Sequence, residues 1–226
     1  NDCYLFIPRV FSYPNLKMGA HRNEDFGNMI NGTTGQVSTT CILKDVDSRA
    51  LIDFAAVHNS NNDFALNGPQ NIKANLRNYW CNGTPLPPLK SSSTEAEVNE
   101  NFVEFTSTVT KLLVLQESKG YGELIRNIKE GNIEEISPTD EITKALFNID
   151  MDAEGSNSVR SRQKTEAEDK EASNIYKAGS VVVFKNLKKN KFGIMIIRSV
   201  NVDFDAVKAT NDANATITFD LYYQRY

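Results

Sequence analysis

Two apolar segments around a short cationic turn, followed by a third alternating segment, constrain the fold of this chain more than any other feature. Residues 181–184 are β-branched and aromatic, residues 186–191 are polar and cationic, and residues 192–200 are apolar again. Two such runs around a short polar loop predict a β-hairpin. Between Thr216 and Leu221 polar and apolar residues alternate, which predicts a third, half-buried strand. This is a signal of fold, and no catalytic residue accompanies it.

The other segments predict a mixture of strands and helices. Residues 50–57 are nearly continuous in apolar side chains, which favours a central strand in one sheet with residues 181–185, 192–200 and 216–223. Residues 95–119 predict a helix, because apolar side chains recur there at steps of three and four. The side chains on that face are Val98, Phe102, Phe105, Val109, Leu112 and Leu113. This order predicts an α+β fold, mainly an antiparallel sheet with a C-terminal β-meander and a few helices in the middle third.

The length and local composition predict how the chain is divided. Its 226 residues suit a single domain, residues 1–226. Residues 1–24 predict an N-terminal arm. Pro8 restricts the apolar residues 2–11 to an edge strand or an extended arm. Residues 13–23 predict a loop, because proline, asparagine and glycine accumulate there. Residues 137–147 begin with Ser-Pro-Thr-Asp-Glu, which is typical of a helix start. Residues from about 150 to 172 are highly charged and predict an exposed acidic insertion.

Charge and hydropathy argue against two classes of partner. The formal net charge is −4, and the lysines of residues 185–191 fall in a predicted turn. Turn lysines are more typical of a solvated hairpin tip than of phosphate contacts, so nucleic acid is not expected as a partner. No apolar run approaches the ~20 residues of a membrane-spanning helix, so no transmembrane segment is expected in this chain. Glycine-rich nucleotide-binding motifs are also missing, and no cofactor is expected.

The cysteines leave the redox state open. Cys3, Cys41 and Cys81 form an odd set without CxxC or zinc-ligand spacing. A Cys41–Cys81 disulfide would form if the protein is exported, and it would stabilise the fold by ~3–4 kcal/mol in the chain-entropy model. Three separate buried thiols are the alternative.

No catalytic residue is predicted, and one metal site is a weak candidate. His21 and His58 are the only histidines, and no GxSxG nucleophile elbow is present. Asp150, Asp152 and Glu154 resemble the start of a calcium loop. The twelfth position of that loop, where a bidentate glutamate belongs, is serine, so a solvated acidic loop is the favoured interpretation and no bound metal is expected.

The candidate ligand-binding residues surround the single tryptophan. Tyr79 and Trp80 lie beside a Gly/Pro-rich segment, and Asn78 and Asn82 flank them. An aromatic face offers a large apolar area to sugar C–H groups or protein side chains, and the amides could bind hydroxyls. The alternative is that Trp80 anchors the segment to the core.

Several segments together resemble a group of secreted lipoproteins of unknown function from Bacteroidetes. The segments are FGNMINGTTGQV (26–37), IDFAAV (52–57), LNGP (66–69), the hairpin AGSVVVFKNLKKNKFGIMII (178–197) and the closing ITFDLYY (217–223). The hairpin carries the most specific part, namely Gly179, Val181, Phe184, Lys185, Lys191, Phe192, Gly193 and Ile194. The chain departs from the group at residues 27–29, where Gly-Asn-Met replaces an aromatic pair.

This resemblance implies export, a lipid anchor on the precursor, and a location in the periplasm or on the outer-membrane surface. It therefore favours a non-enzymatic cell-envelope module that binds a glycan or another envelope protein. The alternative is a hydrolase of an extracellular polymer, with a site assembled from distant residues. The resemblance implies no catalytic residue.

Overall fold

The computed structural model of the protein describes residues 7–23, 25–58, 64–161, 174–202 and 214–226. The strands are β1 (Val10–Gly19), β2 (Met29–Asn31), β3 (Gln36–Ser38), β4 (Phe54–His58), β5 (Phe64–Asn67), β6 (Trp80–Cys81), β7 (Thr84–Pro85), β8 (Thr110–Val114), β9 (Ser158–Ser161), β10 (Val181–Asn186), β11 (Lys191–Asn201) and β12 (Thr216–Gln224). The α-helices are α1 (Val46–Arg49), α2 (Glu95–Thr106), α3 (Gly122–Glu130) and α4 (Met151–Glu154). Short 3₁₀ helices span Thr40–Lys44, Pro69–Ile72, Leu76–Asn78, Glu117–Lys119 and Lys144–Asn148.

The strands form two five-stranded antiparallel sheets and a small hairpin. The first sheet has the order β1-β12-β11-β10-β8, and the second has the order β3-β2-β4-β5-β9. Strands β6 and β7 pair separately. Together with the helices, this architecture is the α+β fold that the sequence predicts.

The two sheets pack face to face around the main core. Phe54 of the second sheet contacts Phe184 of the first edge-to-face, with ring centroids 5.1 Å apart. The outer face of the first sheet packs against α3 and the segment 133–151. The outer face of the second sheet packs against α2 and the 3₁₀ segments of residues 40–44 and 69–78. The described residues thus form four layers, helix on sheet on sheet on helix.

The predicted hairpin and third strand are confirmed. Strands β10 and β11 pair antiparallel, with Val181 opposite Ile196 and Lys185 opposite Phe192. Strand β12 pairs with the other edge of β11. Gly193 lies opposite Phe184, and a Cβ atom on it would come within 2.1 Å of the Phe184 ring, so only glycine fits there.

The strand predicted at residues 50–57 is partly corrected. It begins at Phe54, and it belongs to the second sheet rather than to the sheet of the C-terminal strands. An apolar run indicates that both faces of a strand are buried. Here Phe54 and Ala56 point between the sheets, while Ala55 packs against the helical layer. Burial of both faces of this strand therefore does not show which strands lie beside it.

The long helix predicted at residues 95–119 is also corrected. Helix α2 ends at Thr106, and residues 110–114 form β8 at the edge of the first sheet. Thr94 caps the start of α2 in a capping box with Glu97. The run Thr106-Ser-Thr-Val-Thr110 ends the helix, because β-branched residues favour extended backbone.

Several boundaries in the termini and in the charged segment differ from the sequence prediction. Residues 10–19 form β1 along the edge of the first sheet, which agrees with the edge-strand alternative up to Phe11 and corrects the loop predicted from Tyr13 onward. The pairing is interrupted by a bulge between Tyr13 and Leu16, which accommodates Pro14 on an edge strand. The predicted insertion begins with α4 and β9, while residues 162–173 lie outside the described residues. The helix predicted at residues 137–147 is a turn followed by a 3₁₀ helix.

A buried carboxylate connects the two sheets. Asp53 is fully buried, and its Oδ1 accepts hydrogen bonds from Asn186 Nδ2 at 2.8 Å, Lys189 Nζ at 3.0 Å and Tyr223 Oη at 3.0 Å. Its Oδ2 accepts from the backbone N–H of Gly32 at 2.8 Å. Asn186, Lys189 and Tyr223 belong to the first sheet and its hairpin, whereas Asp53 and Gly32 belong to the second. A buried charge is tolerated only when such donors compensate for its lost hydration.

We expect Asp53→Ala to lower the free energy of unfolding by ~3–5 kcal/mol, because it leaves a cation and two polar side chains without their shared partner. The exposed Asp152→Ala should change it by less than ~0.5 kcal/mol. Urea denaturation followed by circular dichroism measures both values. A stability of the Asp53 variant close to that of the Asp152 variant would contradict the proposed role of the carboxylate.

Candidate functional site

A polar cavity of about 500 Å³ opens on the outer face of the second sheet. Its residues come from the turn after β1, from β4, β5 and β9, and from the 3₁₀ segments that cover this face. The lining residues are His21, Arg22, Val57, His58, Ala65, Asn67, Asn71, Ile72, Asn75, Asn78, Tyr79, Ser158 and Arg160. A cavity of this size suits a small ligand or one or two units of a polymer.

The strand register determines which side chains form the floor of the cavity. Val57 lies opposite Ala65, and Ala65 lies opposite Arg160 on the next strand. Asn67 lies opposite Ser158. Because alternate residues of a strand point to the same face, these side chains share one side of the sheet. The small Ala65 leaves room above the sheet, and Arg160 brings a positive charge to one side of that room.

A row of asparagines forms one wall. Asn71, Asn75 and Asn78 follow one another at steps of four and three along the 3₁₀ segments, and all three are exposed. All three belong to the lining of the cavity. Asn71 donates a hydrogen bond from Nδ2 to Oδ1 of the buried Asn67 at 2.7 Å. The wall therefore presents uncharged hydrogen-bond donors and acceptors to the cavity.

The buried part of the wall holds polar atoms without partners. Tyr79 is 1% exposed, and its hydroxyl has no hydrogen-bond partner within the described part of the chain. His21 is 5% exposed, and its Nδ1 also has no hydrogen-bond partner among the described residues. The two rings contact each other at a centroid distance of 4.9 Å. Each unsatisfied buried group costs about 1–3 kcal/mol, so such groups are more typical of functional sites than of a core optimised for stability.

Burial controls the charge state of this wall. It lowers the pKa of His21 from 6.5 to about 3, and the positive charge of Arg22 and the neighbouring His58 lower it further in the same direction. Burial also raises the pKa of the Tyr79 hydroxyl well above its usual value. At neutral pH both groups are therefore uncharged, and the imidazole offers one donor and one acceptor.

Arg22 and Trp80 form the edge of the cavity. The guanidinium carbon of Arg22 lies 4.5 Å from the centre of the Trp80 ring, which is the geometry of a cation–π contact. Arg22 is half-buried, and its Nε has no hydrogen-bond acceptor among the residues described. Trp80 is 36% exposed and lies beside the cavity rather than in its lining. Its indole thus supports the arginine with one of its faces.

A disulfide holds this edge in place. Cys41 and Cys81 are bonded, with Cα atoms 4.8 Å apart and a sequence separation of 40 residues. This resolves the alternative left open by the sequence for these two residues, while Cys3 lies outside the described residues. Tyr79 and Cys81 are buried, and Trp80 between them points outward, as the alternation of an extended chain requires. The disulfide therefore fixes the backbone on which Trp80 stands.

The sequence-predicted ligand residues divide between the cavity and its surroundings. Asn78 and Tyr79 line the cavity, and Trp80 lies at its edge. Asn82 is exposed in the tight turn between β6 and β7, where its φ of 55° and that of 73° at Gly83 fit a type I′ turn. The turn conformation by itself accounts for an asparagine at position 82.

The remaining lining residues were not predicted as ligand residues from the sequence. Asn67, Asn71, Asn75 and Asn78 show a helical repeat of asparagine that could have indicated the polar wall. His21, Arg22 and Arg160 come from distant parts of the chain and carry no shared sequence signal.

The weak metal candidate uses its carboxylates for other contacts. Asp150 Oδ1 accepts hydrogen bonds from the backbone N–H groups of Asp152 and Ala153 and so caps α4. Glu154 accepts a hydrogen bond from the Tyr121 hydroxyl. Across the described ranges no cluster of three or more metal-binding side chains occurs.

A second cavity, of about 540 Å³, lies between α3 and residues 141–149. Its polar side chains are largely paired with one another, since Tyr121 donates to Glu154 and Lys144 forms an ion pair with Glu141. Burial and this hydrogen bond raise the pKa of Tyr121 to about 12. Paired groups of this kind explain the local structure, and we therefore take the asparagine-lined cavity as the candidate site.

Comparison with known proteins shows a similarity of fold alone. No family model matches the chain, and no curated protein matches it. Among solved structures, it is similar to the crystal structure of a DUF4466 family protein from Parabacteroides merdae ATCC 43184, with 14% identity and a TM-score of 0.49. The match covers 97% of this chain and 55% of the other, so the chain spans about half the length of that protein.

A likeness at this level carries no argument about activity or ligand. Within the described ranges, no helix has the length and apolar character that would let it cross a bilayer.

We expect Trp80→Ala to lower the free energy of unfolding by only ~1 kcal/mol, because the exposed indole loses mainly its contact with Arg22. Tyr79→Ala, in the core, should cost ~3–5 kcal/mol. Thermal unfolding of the two variants gives the comparison. A loss for Trp80→Ala as large as that for Tyr79→Ala would show that Trp80 is an anchor of the core instead.

We expect His21 to make the protein acid-sensitive between pH 6.5 and pH 3. Its folded-state pKa lies below its unfolded value, so the unfolded state binds the proton first and stability falls as the pH drops through this window. The stability difference between wild type and His21→Gln should shift by roughly 2 kcal/mol against the wild type from pH 7 to pH 4.5. Denaturant titrations at both pH values measure it, and parallel pH profiles of the two proteins would contradict the assignment.

Proposed function

We propose that the protein is a non-enzymatic module of the cell envelope that binds a glycan in the asparagine-lined cavity. The observation that carries this proposal is the row Asn71, Asn75 and Asn78, which stands exposed above a floor that includes the buried Asn67. A wall of neutral amides with aromatic neighbours matches a ligand that is polar and rich in hydroxyl groups.

The chemistry of the amide explains the match. Each asparagine side chain offers two donors and an acceptor, and each sugar hydroxyl is both a donor and an acceptor. Neighbouring hydroxyls on a sugar ring can therefore bind successive amides without a charged group. Rim side chains that are exposed before binding lose little when a ligand replaces water at the same positions.

Export of the protein is supported by the disulfide. Disulfides between Cys pairs such as Cys41 and Cys81 persist in oxidising compartments and are rare in the reducing cytosol. An envelope location, in the periplasm or on the outer-membrane surface, is part of the proposal. So is the lipid anchor on the precursor that the sequence resemblance implies.

The hydrolase alternative has less support. A glycosidase of the usual kind needs two carboxyl groups flanking the scissile bond. The lining residues that the structure describes include neither aspartate nor glutamate. His21, with its pKa near 3, would also be a poor general base at neutral pH, because it binds a proton too weakly.

Binding can be tested on a glycan array with wild type and single-site variants. We expect wild type to be retained on a subset of glycans, and Asn75→Ala and Asn78→Ala each to weaken retention about tenfold, since each removes direct hydrogen bonds. Both side chains are exposed, so the melting temperatures should stay within about 2 °C of wild type. Asn132→Ala, an exposed asparagine elsewhere on the surface, is the matched control and should bind normally.

The proposal would be wrong if wild type were retained on no glycan, or if the control and the cavity variants lost retention equally. In the second case the bound surface would lie outside the cavity. Retention of an envelope protein in place of a glycan would assign the module to protein recognition.

A further inference from the structure

Two arginines, Arg22 and Arg160, line the cavity of a chain whose formal net charge is −4. Arg160 has a further interaction of its own, whereas no ion pair among the described residues involves Arg22. A positive charge that is not compensated within the described part of the chain favours a ligand that brings the compensating charge itself.

Arg22 is the more informative of the two arginines, and Arg49 is its natural comparison. Both guanidinium carbons lie 4.5 Å from the centre of an aromatic ring, that of Trp80 for Arg22 and that of Phe102 for Arg49. Arg49 donates from Nε to the carbonyl of Leu43, and from Nη1 to the carbonyl of Asn101 and the Glu104 carboxylate.

Arg22 does not use its own N–H groups in this way. No ion pair involves it among the described residues, and its Nε is buried without an acceptor. Arg22 therefore lies over its aromatic ring as Arg49 does, but it has no counterpart to the Glu104 carboxylate among the described residues. A ligand that supplies an acceptor at this position would complete the arrangement.

The geometry also indicates which acceptor fits best. A guanidinium that stacks on an indole keeps the N–H groups of its edge directed outward in one plane. A carboxylate lies in that plane and accepts two parallel hydrogen bonds, which are shorter and stronger than those between neutral groups. The adjacent asparagine wall supplies contacts for hydroxyl groups on the same ligand.

We propose that the ligand is an acidic glycan and that Arg22 binds the carboxylate of a hexuronate unit while Trp80 acts as its positioning residue. This inference rests on the proposed glycan-binding function and specifies the class of its ligand. It also gives Trp80 a different role from the one expected from the sequence. One face of the indole supports an arginine, and the sugar contact is made by the arginine and the amides.

The test compares charged and neutral forms of the same sugars. Isothermal titration calorimetry would measure binding of galacturonate, glucuronate and mannuronate oligosaccharides, each as the free acid and as the methyl ester. We expect at least one free acid to bind about tenfold or more tightly than its ester, because esterification removes a charge-assisted pair. The preference should shrink as ionic strength rises.

Variants then assign the preference to the stacked arginine. Arg22→Gln should abolish the preference for the free acid and keep the affinity for the ester, and Arg22→Lys should restore only part of it because lysine lacks the planar fork. Trp80→Ala should reduce the preference severalfold, while Trp80→Phe should retain most of it. Arg126→Gln, an exposed arginine on α3, controls for the loss of one positive charge and should bind as wild type does.

Each of the other outcomes contradicts one part of the proposal. Equal affinity for acid and ester, or a preference that survives Arg22→Gln, overturns the acidic-glycan inference and leaves the proposed function standing if a neutral glycan binds. Tighter binding of sulfated galactan oligosaccharides than of any hexuronate overturns the carboxylate assignment. Binding of no glycan at all overturns the proposed function together with this inference.

Discussion

The buried carboxylate of Asp53 is the interaction on which the arrangement of the two sheets depends. It is fully enclosed, and it is bonded by the amide of Asn186, the ammonium of Lys189 and the hydroxyl of Tyr223, all from the C-terminal meander. The backbone of Gly32 bonds it from its own sheet. An aspartate at this depth is stable only with such donors, so the sheets can approach in one relative position and few others.

That relative position determines where a ligand site can form. The faces between the sheets are filled by the apolar side chains of the main core, and α3 with its neighbouring segment covers the outer face of the first sheet. On the outer face of the second sheet, α2 and the 3₁₀ segments cover only part of the surface. The uncovered part, above Ala65 and beside Arg160, becomes the cavity. The site is therefore a consequence of incomplete coverage of a sheet by short helical segments.

The core and the disulfide hold the edge of the cavity in place. Tyr79, Trp80 and Cys81 alternate between inside and outside, and the two inward side chains are fixed by the core and by the bond to Cys41. This leaves the outward indole in a defined position, against which Arg22 packs. A stacked arginine loses less conformational freedom on binding than a free one, which favours recognition of a planar anion.

The sequence by itself determined the local elements whose signals are contained within a short segment. The hairpin of residues 181–200 follows from two apolar runs and a polar turn. The start of α2 follows from the capping residues Thr94 and Glu97. The exposure of Trp80 beside the buried Tyr79 agrees with a tryptophan presented in an irregular segment. The tertiary structure alone decided that residues 54–58 join a second sheet, that Cys41 pairs with Cys81, and that His21, Arg22 and Arg160 meet at one cavity. The physical reason is range: propensity and periodicity act over a few residues, whereas sheet membership and the meeting of distant charges depend on how separate elements pack, and no local pattern encodes that.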